Sequence, residues 1–170
     1  MPLHLIVDGY NLIHASLSLH QLATEDLEQS REALLRLLSE YRRQKPHRIT
    51  VVFDGWINGS TSTDTSYFSG IRVLFSPKDE PADDVILRLV RNEKQRAVVV
   101  SSDREVASNA RRHGATSISS QDFEPMLFGA QEPDYASPHP STHSPSTTKK
   151  GPAKRLPRTK RKTMARLKKL

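Results

Sequence analysis

Leu3-His4-Leu5-Ile6-Val7-Asp8-Gly9-Tyr10-Asn11 is an apolar run that stops on an acid and a glycine. So short a run suits a strand covered on both faces better than a buried helix. The pattern returns at Ile49–Phe53, which ends on Asp54-Gly55, and at Ala97–Val100, which leads through Ser101-Ser102 to Asp103. Between these, Pro81-Ala82-Asp83-Asp84 opens a stretch in which Val85, Ile86, Leu89 and Val90 form one helical face, and Pro81 suits a first turn. Strands alternating with helices predict a mainly parallel α/β sheet with right-handed crossovers. Ligands of such sheets bind in the crevice at the carboxyl ends of the strands, near the reversal of strand order. Acids from distant parts of the chain can meet there.

Working outward, Leu27, Leu34, Leu38 and Tyr41 give one apolar face and predict one helix from about Thr24 to Gln44, stopped by Lys45-Pro46. Residues 55–69 are rich in Gly, Ser and Thr and predict a long loop rather than an element. Ile71–Phe75 follows as a strand. Ser102-x-x-Glu105 reads as a capping box opening a helix that ends at His113-Gly114. A short strand at Thr116–Ile118 and a terminal piece near Phe123–Phe128 complete a domain spanning residues 1–132.

Charge divides the chain. Residues 1–135 carry 15 Lys/Arg against 19 Asp/Glu, whereas 136–170 carry 11 Lys/Arg and no acid, so the net +7 belongs to the tail. From 133 onward Ser, Thr, Pro and His give way to Lys and Arg, a composition unable to bury enough surface to fold alone, and the tail is expected to be disordered when free. Lys149, Lys150, Lys154, Arg155, Arg158, Lys160, Arg161, Lys162, Arg166, Lys168 and Lys169 are the candidate contacts to a nucleic-acid backbone, with counterion release as the driving force. Met164, Leu167 and Leu170 recur at threes and leave binding to a membrane surface as another use of the segment. Cysteine is absent, which excludes disulfides and thiolate metal sites. No run approaches the roughly 20 apolar residues of a membrane span, and no signal peptide is legible. Cytoplasmic residence is the simplest expectation.

Each acid has a structural explanation on its own. Asp8-Gly9 and Asp54-Gly55 suit turns, and Asp83, Asp84 and Asp103 complement helix N-termini. Their convergence is harder to explain structurally, because like charges repel unless a cation offsets them. Carboxylates without His or Cys suit a hard ion, Mg²⁺ or Mn²⁺. Phosphodiester hydrolysis is the natural chemistry of such a centre.

Asp8-Gly9-Tyr10-Asn11-Leu12-Ile13, Val51-Val52-Phe53-Asp54, Ala82-Asp83-Asp84 and Ser101-Ser102-Asp103-Arg104, in that order, resemble the YacP-like branch of the NYN domains, within the PIN-like nucleases. The resemblance covers roughly residues 1–130. It implies a three-layer α/β/α sandwich, an acidic metal site and endoribonuclease activity, exercised in some members on messenger RNA at the ribosome. Asp8, Asp83 and Asp103 are the implied metal ligands, with Asp54 and Asn11 completing the catalytic set. Asn11 would position a ligand, water or phosphate through its amide. Pro81 and Ser101 stand where the family commonly has threonines.

Arg31 lies on the apolar face of its helix, placed either to reach a phosphate or to snorkel from the edge. Trp56, Tyr67 and Phe68 bracket the polar stretch and offer stacking surfaces for unpaired bases, or packing over the sheet edge. His14 is dispensable to a metal mechanism, and capping accounts for Ser102. Two rivals to a nuclease are a non-catalytic RNA- or ribosome-binding protein and a phosphotransfer domain. The latter needs a nucleophilic carboxylate with a nearby Lys, and no Lys occurs between positions 79 and 93.

Overall fold

β1 (His4–Asp8) runs through the middle of a six-stranded sheet, in a computed structural model that describes residues 2–55 and 61–129. Pairing on one side of β1 are β2 (Arg48–Phe53), β4 (Ile71–Phe75) and β3 (Asp64–Phe68); on the other are β5 (Ala97–Val100) and β6 (Thr116–Ile118). Every pairing is parallel except β3–β4. Strand order therefore reverses at β1, and the crevice beyond its carboxyl end is the predicted ligand position.

The pleat sends alternate residues to opposite faces. On one face Ile6, Val52, Leu74 and Val99 pack against Ala82, Val85, Ile86 and Val90 of α4 (Ala82–Glu93) and Val106 and Ala110 of α5 (Arg104–Arg112). The other helices, α1 (Gly9–Ala15), α2 (Leu17–Glu25), α3 (Leu27–Gln44) and α6 (Ser120–Gly129), pack on one another to form the opposite layer. There Tyr41 meets the edge of Phe123, and the Tyr10 ring tilts against Phe53. β1, β2 and β5 are almost wholly buried, and each large aliphatic removed from water contributes about 1.5–3 kcal/mol. This is the three-layer α/β/α architecture expected of the sequence.

Two expected segments differ. The helix anticipated from about Thr24 to Gln44 is interrupted: Asp26 is extended, and its carboxylate caps α3 by accepting from the Glu28 and Gln29 N–H groups at 2.8 and 3.0 Å. The apolar positions Leu27, Leu34, Leu38 and Tyr41 all lie in α3, beyond this break, and the Ser30 hydroxyl donates to the Leu19 carbonyl, tying α2 to α3. The stretch 55–69 is not all loop, since Asp64–Phe68 is a strand antiparallel to β4. Ser69 and Gly70, with φ of 47° and 79°, make the tight turn of a hairpin. β3 is an edge strand with four exposed residues, so no apolar alternation marks it in the sequence. Trp56 lies outside the described residues, as do all the tail candidates.

His4 opens β1 on the face covered by α4 and is 4% exposed. An Arg48 guanidinium N–H can only donate, so His4 Nδ1 accepts it at 2.8 Å, and Nε2–H donates to Thr50 Oγ1 at 2.8 Å. Glu93 also approaches Nδ1, but its carboxylate is bound by Arg48, and the ring is neutral rather than ion-paired. Burial, reinforced by Arg48 and Arg72, lowers the His4 pKa from 6.5 to about 4. A proton excluded by the fold is taken up by the unfolded chain, so stability falls as pH drops from 6.5 toward 4. Between pH 6.5 and 4.5 this group is expected to cost about 2 kcal/mol. Denaturant unfolding of the unsubstituted chain and His4→Gln over that range should show a shallower slope for the variant.

Candidate active site

Four acids reach the carboxyl edge of the sheet from four elements: Asp8 closes β1, Asp54 follows β2, Asp83 lies in the first turn of α4, and Asp103 follows β5. Neither Asp-Gly pair is a positive-φ turn. Gly9 is glycine because a Cβ would stand 2.3 Å from the Phe53 ring, and Gly55 because one would stand 1.9 Å from the Ser76 carbonyl oxygen. The Gly55 N–H donates to Ser76 Oγ and the Ser76 N–H to the Phe53 carbonyl, which fixes the turn carrying Asp54.

Asp8 is held by two bonds, from the Asn11 N–H to Oδ1 at 3.3 Å and from the Ser101 hydroxyl to Oδ2 at 3.1 Å. Both favour the charged form, yet burial outweighs them, and Asp83 and Asp103 add repulsion, raising the carboxyl from 3.8 to about 6. Asp83 is raised as well, first by burial and then by Asp103, Asp84, Glu105 and Asp54. Asp83 is half-buried and is the neighbour that Asp8 senses, while Asp84 is exposed. Helical geometry thus turns Asp83 toward the crevice.

Asp103 caps α5, its Oδ1 accepting from the Glu105 and Val106 N–H groups at 2.7 and 3.2 Å. This corrects the capping box expected at Ser102. The Ser102 hydroxyl instead donates to Gln121 Oε1 and accepts from the Ser120 N–H. Asn11 Oδ1 accepts from the Ser102 N–H and the Ser120 hydroxyl, both at 2.7 Å, so its side-chain oxygen ties the β1, β5 and α6 turns together. Ser101, 2% exposed, bridges the Asp8 carboxylate and the Asp103 N–H. Ser120 and Gln121 carried no signal in the sequence, because their roles exist only once α6 docks.

Arg31 donates to the Tyr10 hydroxyl at 3.0 Å and lies over the Phe75 ring. His14 lies 3.2 Å from His20, nitrogen to nitrogen, at the surface. Tyr67 is exposed and Phe68 half-buried.

Among the described residues no three His or acidic side chains stand close enough together to hold an ion directly. The oxygen-only donors still fit a hydrated hard ion, since Mg²⁺ keeps several waters and uses one or two carboxylates with substrate phosphates. Asp8, Asp83 and Asp103 are the residues that would hold it. Their mutual electrostatic penalty is what a dication would relieve.

This sandwich, with acids gathered at the switch of its sheet, defines a PIN-like nuclease-type domain. Residues 5–169 match the model of the YacP-like NYN domain, and the chain belongs to that family. It is 33% identical over 88 residues to the uncharacterized protein YacP of Bacillus subtilis (strain 168), a match taking in 51% of this chain and 51% of that protein. The match thus spans about half the length of that curated relative. The crystal structure of Rae1 (YacP) from Bacillus subtilis superposes with a TM-score of 0.65 at 26% identity, over 77% of this chain and 76% of that one. A tryptophan-to-leucine mutant of the same protein gives 0.66 at 25%, over 77% of each chain.

Because the Asp8 pKa is raised, its ionisation costs stability as pH climbs from 3.8 through 6, and the full cost is present at pH 7.5. Asp8→Asn keeps an acceptor and removes the charge. In EDTA at pH 7.5 the variant should be more stable by about 1–2 kcal/mol, discounted for partial exposure. Added Mn²⁺ should raise the melting temperature of the unsubstituted chain and leave that of the variant unchanged.

Proposed function

We propose that the protein is a metal-dependent endoribonuclease that hydrolyses RNA phosphodiester bonds, with messenger RNA at the ribosome as its setting. One observation carries this reading: among the described residues none of Asp8, Asp83 and Asp103 is in an ion pair, although burial and mutual repulsion raise Asp8 and Asp83. Among the described residues no cation pairs with these three carboxylates, so the crevice suits an external dication and the phosphate that travels with it. Mg²⁺ or Mn²⁺ bound there would lower the pKa of a coordinated water and offset charge developing on a phosphate oxygen. The chain's own part is positional. Ser101 holds Asp8 in one orientation, Asn11 fixes the turns on either side, and burial beneath α4 limits access of water.

An acidic domain repels RNA, and the tail supplies the attraction. Its Lys and Arg residues would tether RNA or the ribosome electrostatically, and truncation after residue 135 should weaken RNA binding and flatten its dependence on salt.

The direct test mixes the full chain with labelled RNAs and ribosome-bound messages in Mn²⁺. Cleavage is expected, with none in EDTA and none beyond background for Asp8→Asn or Asp83→Asn. Ser101→Ala should lose about 10–100-fold, the usual cost of removing a group that orients a metal ligand. If no RNA is cut faster than by Asp8→Asn, the nuclease reading fails. The rival is a non-catalytic RNA- or ribosome-binding protein, favoured because no three acids among the described residues stand ready to hold an ion directly. It predicts that Asp8→Asn and Asp103→Asn bind RNA normally and that Mn²⁺ changes nothing.

A further inference from the structure

The opposite end of the sheet holds a groove that the crevice chemistry does not use. It is a cavity of about 500 Å³ beside the last turn of α4, and Tyr67, Arg72, Arg48, Arg42, Asn92 and Glu93 are among the residues lining it. Tyr67 and Arg72 are directly opposite in the antiparallel β3–β4 register, so their side chains leave the same face of the sheet. The Tyr67 ring is 74% exposed. Arg72 Nε is buried without a hydrogen-bond partner, and a desolvated guanidinium N–H is costly until an acceptor meets it. Glu93 is the single acid among the described residues lining the groove, and Arg48 already binds it. Three guanidinium groups beside one committed carboxylate leave a positive groove with an aromatic ring at its rim.

Arginine favours phosphate, and an exposed aromatic ring stacks on any unpaired base. We propose that this groove is a second contact for single-stranded RNA, a phosphate meeting Arg72 and a base stacking on Tyr67, on the folded domain and away from the acids. The inference rests on RNA being the ligand. The far end of β3 leads from the groove toward the crevice, because Asp64 pairs with Phe75 at the carboxyl edge of β4. Along this edge strand Asp64 lies about 10 Å from Tyr67. A purely structural account explains Arg42 as a cation in the last turn of α3, and an aromatic as cover for a sheet edge. It leaves the partnerless Arg72 Nε unexplained.

The test uses the full chain in EDTA, which separates binding from cleavage, with a short single-stranded RNA carrying photoreactive thiouridine. Cross-links should map to the peptide containing Tyr67. Tyr67→Ala should raise Kd about five- to tenfold, with Tyr67→Phe close to the unsubstituted chain, and Arg72→Gln should weaken binding in the same direction. Tyr67 is exposed, so its variants should retain the circular dichroism of the parent. Cross-links confined to the tail, together with an unchanged Kd for Tyr67→Ala, would overturn the proposal. Cleavage is scored separately in Mn²⁺: a chain that cross-links at Tyr67 but never cuts keeps the groove and loses the nuclease reading. One that cuts but cross-links only through its tail does the reverse.

Discussion

A carboxylate at the end of the central strand has nowhere to go. β1 is paired on both sides and packed on both faces, so the pleat that sends Ile6 beneath α4 sends Asp8 the same way. His4 occupies the same face at the other end of the strand. Burial favours the neutral form of both residues, but their surroundings differ. His4 accepts from Arg48 and donates to Thr50, and its neutral ring is fully accommodated. Asp8 has two modest hydrogen bonds and neighbours of its own sign. One end of the strand is electrostatically finished, and the other keeps a buried carboxyl among like charges.

Among the described residues Asp8 is held by the Ser101 hydroxyl and the Asn11 N–H, and Asp103 by the first-turn N–H groups of α5, and neither is in an ion pair. Ser101 joins Asp8 to the turn carrying Asp103, while Asn11 and Ser102 connect that turn to α6. Neutral donors orient a carboxylate without cancelling its charge, which an arginine in the same place would do. Such a site keeps its geometry and stays negative. This chain thus presents an acidic crevice at the switch of its sheet.

Most of the framework was legible in the sequence because the central strands are short and apolar, with an acid at or soon after the ends of β1, β2 and β5. Ile49–Phe53 and Ala97–Val100 leave little choice of structure or depth. The misreadings have local causes. Asp26 ends one helix and caps the next just ahead of the apolar stripe, β3 shows no alternation because one side of it faces no core, and Ser102 resembles a cap while Asp103 beside it does the capping. The four acids were identifiable from their positions at strand ends and at a helix start. The partners of Asn11 and Ser102 were not, since Ser120 is 109 residues from Asn11 and becomes its neighbour only through tertiary packing.

That long-range clasp fixes how much of the chain the crevice needs. A fragment stopping just after β6 would contain every strand of the sheet and all four acids, yet Asn11 and Ser102 would lose their anchors on Ser120 and Gln121. The smallest piece able to preserve the crevice is therefore set by a helix that adds nothing to the sheet and contributes no acid to the set. Looseness introduced at its docking would reach the carboxylates as disorder in their turns, with no strand displaced.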